Sequence, residues 1–418
     1  MKPFTTRSLL LDRDFALIWV AGLVSVTGNL AMFVALPVTV YQRTGSTLAT
    51  ALTALAGLAP SVVVGQVAGV VVDRTDRRRV LIVANVILAV LTCAYLTVAA
   101  GAWWPLLLIS LALGSVAQFA QSAEHALLGE VVPQPRLGEG SSLNAMTNNL
   151  ARLLGPVAGG VLYAQAGFTA TVTLDAGTFL IAAMLVLLVN RTRPLAPQPH
   201  SEPVSWISDW INGARAIWEH QQLRPIVLLI AITMFGEGSI SALLAPFTQT
   251  ILHGGADALG IILSAQAVGG IVGAWWASRN ADRHAPLRLL GSAALISGCL
   301  LAVIFNYALV YPAWWPAVVL TGVAGFPFAV LGAAQGYALQ IFAPPELRGR
   351  VYSLAYGVLS LTQAAGILVA GIAAEQWGPL VINIDTAAYL TVGITSLFLV
   401  AKRAPVPSGD HGKDTTTG

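Results

Sequence analysis

Runs of 18 or more predominantly apolar residues recur along nearly the whole chain. A run of this length can cross the hydrocarbon core of a bilayer as an α-helix. The composition agrees, because 56% of the 418 residues are hydrophobic and only 10% are charged, whereas soluble domains carry about 25% charged residues. A β-barrel would instead show alternating strands of about ten residues. The sequence therefore predicts an all-α membrane protein with many spans.

Twelve spans fit the apolar runs, and the loops between them alternate in charge. The loops 101–105 and 165–168 carry no charge, whereas nearly all of the 22 Lys and Arg residues lie in the termini and in the other set of loops. The exceptions are Arg43 and Arg152. The positive-inside rule then places both termini in the cytoplasm. The predicted spans are 15–40, 48–72, 80–100, 104–128, 141–165, 170–190, 224–251, 257–278, 287–309, 314–341, 351–374 and 380–401.

The longest connection divides the chain into two groups of six spans. We predict an N-terminal bundle at 1–190, a cytoplasmic linker at 191–223, a C-terminal bundle at 224–401 and a disordered tail at 402–418. Within the linker, apolar residues and three tryptophans between 206 and 218 recur at helical spacing. This pattern predicts an amphipathic helix at the membrane interface. A soluble linker helix packed on the bundle is the alternative.

The two groups of spans repeat at an offset near 209 residues. Each half has an even number of spans, so the two halves should be related as a parallel repeat about an axis along the membrane normal. This architecture predicts a substrate site between the halves, near the midplane of the membrane. The matching pairs are Gly28-Asn29 with Gly236-Glu237, Asp73-Arg74 with Asp282-Arg283, Asp175 with Asp385, and Phe179 with Tyr389.

Two motifs give the chain a family resemblance. The loop from Gly69 to Arg78 reads Gly-x-x-x-Asp-Arg-x-x-Arg-Arg, and span five contains Gly155-Pro156-x-x-Gly159-Gly160. On these motifs the chain resembles the major facilitator superfamily, and within it the twelve-span drug:proton antiporters that include macrolide efflux and enterobactin exporter proteins. The resemblance implies two pseudo-symmetric six-helix bundles and export from a bacterial cell driven by proton influx through the inner membrane. It also implies a monomer.

The resemblance assigns gating roles to both motifs. In the loop, the charged residues would form a latch that holds the outward-facing state, although a basic loop that only fixes topology remains the alternative. In span five, the glycines and proline would permit a kink and a seal between the halves, or only close helix packing. The assigned residues are Gly69, Asp73, Arg74, Arg77 and Arg78 in the loop, Asp282 and Arg283 in its degenerate second-half copy, and Gly155, Pro156, Gly159 and Gly160 in span five.

Three polar residues within spans are candidates for coupling or substrate contact. Glu237 lies near the middle of span seven, where a carboxylate is costly and marks a functional site by default. A structural hydrogen-bond network is the alternative. Its repeat mate Asn29 stands where relatives carry an acid. Arg152 must face a cavity or an acid, with Glu124 or Glu130 as possible partners, or else form a packing salt bridge.

Enzyme signatures do not appear in the sequence. It contains no Gly-x-x-x-x-Gly-Lys-Ser/Thr loop for ATP, no His/Cys cluster with metal-ligand spacing and no recognisable nucleophile motif. We therefore predict a transporter without cofactor or metal, whose partners are a small molecule, protons and the lipid bilayer, and not nucleic acid. It would export hydrophobic or amphipathic compounds. The alternatives are export of one endogenous metabolite or siderophore, and a non-transporting membrane sensor or scaffold.

Overall fold

The computed structural model describes residues 9–98, 102–190, 223–343 and 348–403. Eleven helices in these ranges are long and apolar enough to cross a membrane. One of them, Leu137–Leu187, has 51 residues, and its backbone leaves the helical conformation at Gly167 (φ 77°, ψ −174°). A straight helix of that length would reach about 75 Å, more than twice the thickness of a bilayer core. The chain turns at Gly167, so this segment supplies two spans and the total is the predicted twelve.

The spans are numbered here in chain order. Spans one to six are Arg13–Thr44, Thr47–Leu58 with Pro60–Asp73, Arg77–Ala94, Trp104–Val131, and the parts of Leu137–Leu187 before and after Gly167. Spans seven to twelve are Leu223–Thr250, Ala256–Asn280, Pro286–Asn306, Trp315–Phe342, Arg348–Trp377 and Asn383–Arg403. The predicted amphipathic linker helix, and the tail from 404 onwards, lie outside the described residues.

The backbone turns repeat in the two halves as the sequence does. In the described ranges, positive φ angles occur at Gly45 (64°) and His253 (52°) after spans one and seven. They occur again at Gly167 and Gly378, both with φ 77°, between spans five and six and between spans eleven and twelve. Paired left-handed turns at matching positions show that the duplication extends to the backbone.

Within each half, the first span packs closely on the last. A Cβ added to Gly28 would lie 2.8 Å from Oδ1 of Asp175, and one added to Gly236 would lie 2.4 Å from Oδ1 of Asp385. These are repeat mates, so one glycine–aspartate contact joins spans one and six and its copy joins spans seven and twelve. Both aspartates are buried.

The two halves meet along two seams at one end of the bundle, which we call the closed end. It contains the loop before span two and the end of span eleven. At the first seam, Thr47 Oγ1 donates to the Gly371 carbonyl of span eleven (3.2 Å). At the second, spans five and eight are so close that a Cβ on Gly160 would lie 2.3 Å from the Ala256 carbonyl oxygen. The opposite end, with Asp73 to Arg78, is the loop end.

Candidate functional site

Glu237 lies half-way along span seven and faces the interior of the second half. The phenolic hydroxyl of Tyr389, on span twelve, donates a hydrogen bond to Glu237 Oε1. Tyr389 is fully buried, and its ring packs edge-on against Phe328 with centroids 5.2 Å apart. Glu237 itself is only partly buried. A carboxylate held by a buried tyrosine and still reachable from outside the protein can bind and release a proton.

The glycines on both sides of Glu237 explain how the carboxylate reaches the interior. A Cβ on Gly236 would lie 2.4 Å from Asp385 Oδ1. One on Gly238 would lie 2.3 Å from the backbone oxygen of Gln363 in span eleven. Side chains at either position would push span seven away from its neighbours. The Gly-Glu-Gly sequence therefore brings the backbone around Glu237 against spans eleven and twelve.

Asp385 is a second carboxyl group beside Glu237. Its side chain is fully buried, and neither of its oxygens has a hydrogen-bond partner among the described residues. It interacts electrostatically with Glu237 and precedes Tyr389 by one helical turn. Two acids and a tyrosine thus meet where span seven crosses span twelve, and sequence reasoning singled out only Glu237 for a chemical role.

Arg152, which belongs to the first half, places a positive charge near the carboxylate of Glu237 in the second half. It lies on span five, is exposed, and acts electrostatically on Glu237. The two side chains form no direct ion pair, and the proposed acid partner Glu130 is occupied by Arg77 instead. Of the two possible acid partners for Arg152 in the sequence, Glu130 is thus paired with Arg77 at the loop end.

Asn29 lies on span one, and Glu124 of span four packs against the same side of that helix. Asn29 is exposed, and among the described residues it forms no hydrogen bond to Glu237. A Cβ on Gly22, two turns before Asn29 and so on the same face, would lie 2.3 Å from Glu124 Oε1. Glu124 was considered in the sequence only as a partner for Arg152. Glu124 therefore packs against the face of span one that carries Asn29, two turns from that residue.

The loop between spans two and three is held by an ion pair to span four. Arg77 Nη1 lies 2.7 Å from Glu130 Oε1, and both side chains are largely buried, with exposures of 14% and 8%. Arg77 Nη2 also lies 3.6 Å from Asp73, whose side chain is 72% exposed. Asp73, Arg77 and Glu130 therefore form a charge network within the first half, and Glu130 is a member that the motif alone did not reveal.

The remaining residues of the loop motif differ in whether their side chains form hydrogen bonds to neighbouring spans. Arg78 donates to the carbonyl oxygens of Val186 (3.1 Å) and Leu187 (2.5 Å) at the end of span six. Arg74 is exposed. No described atom lies within 4 Å of a Cβ added to Gly69, so Gly69 makes no close contact with another helix in this conformation. The loop thus ties spans two and three to spans four and six.

The second-half loop does not reproduce this network in the part of it that the structure describes. Arg283 Nη1 donates to the side-chain oxygen of Asn280 (3.4 Å), and His284 stacks near Trp276 with centroids 6.0 Å apart. The backbone of Asp282 lies in a short 3-10 turn. These local contacts agree with the degenerate motif at this position.

The glycines of span five contact two different helices. Cβ atoms on Gly155 and Gly159 would lie 2.6 Å from Leu30 Cβ and 2.4 Å from Ala31 Cα, both on span one. On the other side, a Cβ on Gly260 of span eight would lie 2.2 Å from the Pro156 carbonyl oxygen. In addition, the Val157 N–H donates to Ser264 Oγ across the halves (3.1 Å). The motif thus places span five between its own half and the opposite one.

Comparisons with known proteins agree with this architecture. The Multidrug efflux pump Tap of Mycolicibacterium fortuitum is 25% identical over 373 residues, covering 87% of this chain and 89% of that protein. Macrolide efflux protein A of Streptococcus pyogenes is 23% identical over 369 residues, covering 87% and 90%. Among solved structures, a bacterial homologue of the iron transporter ferroportin in the inward-facing state has a TM-score of 0.72 at 14% identity, with 93% and 98% of the two chains covered.

A second solved structure, a bacterial homologue of the human lysosomal transporter Spinster in an inward-facing and unoccupied conformation, has a TM-score of 0.68 at 14% identity. It covers 93% of this chain and 95% of that chain. These likenesses show the fold. The family model of the Major Facilitator Superfamily matches residues 18–305 and 226–417. The chain therefore belongs to the Major Facilitator Superfamily and is a multi-pass membrane protein with the transporter fold of that family.

Proposed function

We propose that this protein exports hydrophobic or amphipathic small molecules from the bacterial cytoplasm by alternating access, in exchange for protons. It acts as a monomer in the inner membrane with both termini in the cytoplasm. The efflux pumps named among its relatives support this cargo class. The observation that carries the proton part is the position of Glu237, which lies half-way along span seven, is bonded to Tyr389 and interacts electrostatically with Arg152 of the other half.

The interaction between Glu237 and Arg152 links proton binding by Glu237 to the movement of the two halves. Glu237 belongs to the second half and Arg152 to the first, so rocking of the halves changes the distance between them. The attraction between two opposite charges weakens as the distance between them grows. The free energy of ionising Glu237 then depends on the conformation. A proton taken up on one side of the membrane can therefore be released on the other.

The predicted orientation assigns sides to the two ends. With cytoplasmic termini, the closed end faces outside and the loop end faces the cytoplasm. Cargo would enter from the loop end, and the seams at the closed end would have to part for release. The loop network of Asp73, Arg77 and Glu130 then acts at the cytoplasmic entrance, where its contacts to spans four and six hold the first half as one body.

The test is transport into or out of proteoliposomes with an imposed pH gradient. A macrolide and a fluorescent hydrophobic dye serve as cargo, and Glu237→Gln is compared with the parent protein. We expect the parent to accumulate cargo only with the gradient, and Glu237→Gln to lose that dependence while retaining gradient-independent exchange. Glu139→Gln is the matched control, because Glu139 is bonded to Arg136 at the loop end (2.8 Å) and away from the site.

Two results would contradict the proposal. If Glu237→Gln carried out gradient-driven transport at the parental rate, Glu237 would not be the proton-binding group. The absence of any movement of macrolide or dye by the parent, with transport of an iron-chelating metabolite instead, would replace the cargo class by a single endogenous compound.

A further inference from the structure

The end of span eleven completes the helix cap of span two across the boundary between the halves. The first N–H groups of a helix have no partner within the helix. Ser46 caps span two in the usual way, since its Oγ accepts from the Ala49 N–H at 3.0 Å. In a capping box the residue three after the cap is Glu or Gln, but here it is Ala49. The acid that this cap lacks is supplied by Glu375 of the second half.

The contacts of Glu375 are specific to this position. Glu375 Oε1 accepts a hydrogen bond from the Leu48 N–H at 2.9 Å and another from the Ser46 hydroxyl. A carboxylate at a helix N-terminus is further stabilised by the positive end of the helix dipole. One turn earlier, span eleven approaches so closely that a Cβ on Gly371 would lie 2.4 Å from Ala51 Cβ. The carboxylate thus sits at the edge of a tight contact between the halves.

The repeat mates do not form a second copy of this contact. Offsets of 209 and 210 residues place Gly255 opposite Ser46 and Gln165 opposite Glu375. Gly255 has no side chain to cap span eight, and Gln165 is exposed. The seam between spans five and eight is closed by glycine packing instead. The first seam is therefore a polar clamp that includes a carboxylate. The second packs through glycines and carries the hydrogen bond from the Val157 N–H to Ser264 Oγ.

We propose that Glu375 is a gating residue that holds the closed end shut by capping span two, and that this bond breaks and re-forms in every transport cycle. The bonds lie at an exposed position, so water replaces them when the halves part and the cost of opening stays moderate. Loss of a helix cap shifts an equilibrium by about fivefold. This proposal rests on the alternating access of the proposed function, but it depends neither on proton coupling nor on the identity of the cargo.

The experiment measures the distance between spin labels at the closed end by pulsed electron paramagnetic resonance. The labels replace Trp104 and Val310, which are 60% and 89% exposed in the first and second half, after both cysteines are changed to serine. We expect Glu375→Ala to raise the fraction with a widened closed end about fivefold. Glu375→Gln keeps an acceptor and loses the charge, so its increase should be smaller, about twofold. Ser46→Ala should act in the same direction, and Gln165→Ala should change nothing.

Transport and folding are measured on the same variants. Cargo release at the closed end should become faster, or leak without coupling, in Glu375→Ala, while Glu375→Asp restores part of the parental behaviour. If the alanine variant does not fold, Glu375→Gln and Ser46→Ala still decide the matter. An unchanged distance distribution in Glu375→Gln and Ser46→Ala, or an equal change in Gln165→Ala, would overturn the proposal.

Discussion

Tyr389 donates a hydrogen bond to Glu237 across 152 residues of sequence. The repeat mates of these two residues are Phe179 and Asn29, which have neither a hydroxyl nor an acid to form the same bond. The duplicated halves therefore share their packing but not their chemistry. The glycine–aspartate contact of spans one and six recurs in spans seven and twelve, whereas the acid–tyrosine pair is present only in the second half.

Replacing Tyr389 with Phe tests this pair. The ring and its edge-on contact with Phe328 remain, but Glu237 loses its donor, and a hydrogen bond to a charged group contributes about 1.5–3 kcal/mol. We expect a folded protein whose transport rate has an altered pH profile, measured in proteoliposomes between pH 5.5 and 8.5. Tyr307→Phe is the control, because it also removes a tyrosine hydrogen bond, to the Ala313 carbonyl, without touching Glu237. Identical pH profiles for parent and Tyr389→Phe would contradict a role in coupling.

Arg152 should matter through its charge. We expect Arg152→Gln to reduce gradient-driven transport at least tenfold and Arg152→Lys to retain a substantial part of it, since Lys keeps the charge that acts on Glu237. Arg152 is exposed and forms no ion pair with the described residues, so unfolding temperatures should differ by only a few degrees. Initial rates and thermal unfolding in detergent measure the two effects separately. A large loss of stability in Arg152→Gln, with normal rates per folded molecule, would indicate a packing role.

The Arg77–Glu130 pair should contribute to the stability of the first half. Removing one partner of a buried ion pair costs about 3–5 kcal/mol, because the other charge is left without a partner. We expect Arg77→Gln and Glu130→Gln to lower the unfolding temperature, and the double variant to cost less than the sum of the two. Arg79→Gln is the matched control: its partner Asp76 lies 3.3 Å away, and their side chains are 85% and 49% exposed. Strict additivity of the two single variants would show that the pair is not coupled.

Gly159 tests the contact between spans one and five. An alanine Cβ there would lie 2.4 Å from Ala31 Cα, and overpacking of this kind costs about 1–3 kcal/mol or more. We therefore expect Gly159→Ala to lower both stability and transport. Gly177→Ala should be neutral, because no described atom outside its own helix backbone lies within 4 Å of the added Cβ. Equal unfolding temperatures and transport rates for the two variants would contradict the predicted close contact.

The sequence by itself determined the twelve spans, the two halves and the position of Glu237 at the centre of span seven. These features depend on local properties, namely the length of each apolar run and the charges at its ends. Each run can be assigned to the bilayer from these properties alone, because a helix satisfies its backbone hydrogen bonds within its own segment. The duplication was also visible in the sequence, because the glycines and aspartates that join the first and last span of each half are the same residue types. The turn at Gly167 fell between two predicted spans, at 165 and 170.

Only the tertiary structure decided which charged and polar groups meet. Glu130 could be placed near a helix end from the sequence, but its pairing with Arg77 rather than Arg152 depends on how spans three and four lie against each other. The bonds of Glu375 to Ser46 and Leu48 join residues more than 300 positions apart. Such pairings depend on the rotation of each helix about its axis and on the closeness of the halves. Those variables are fixed by small residues that let the backbones approach, and hydropathy does not encode them.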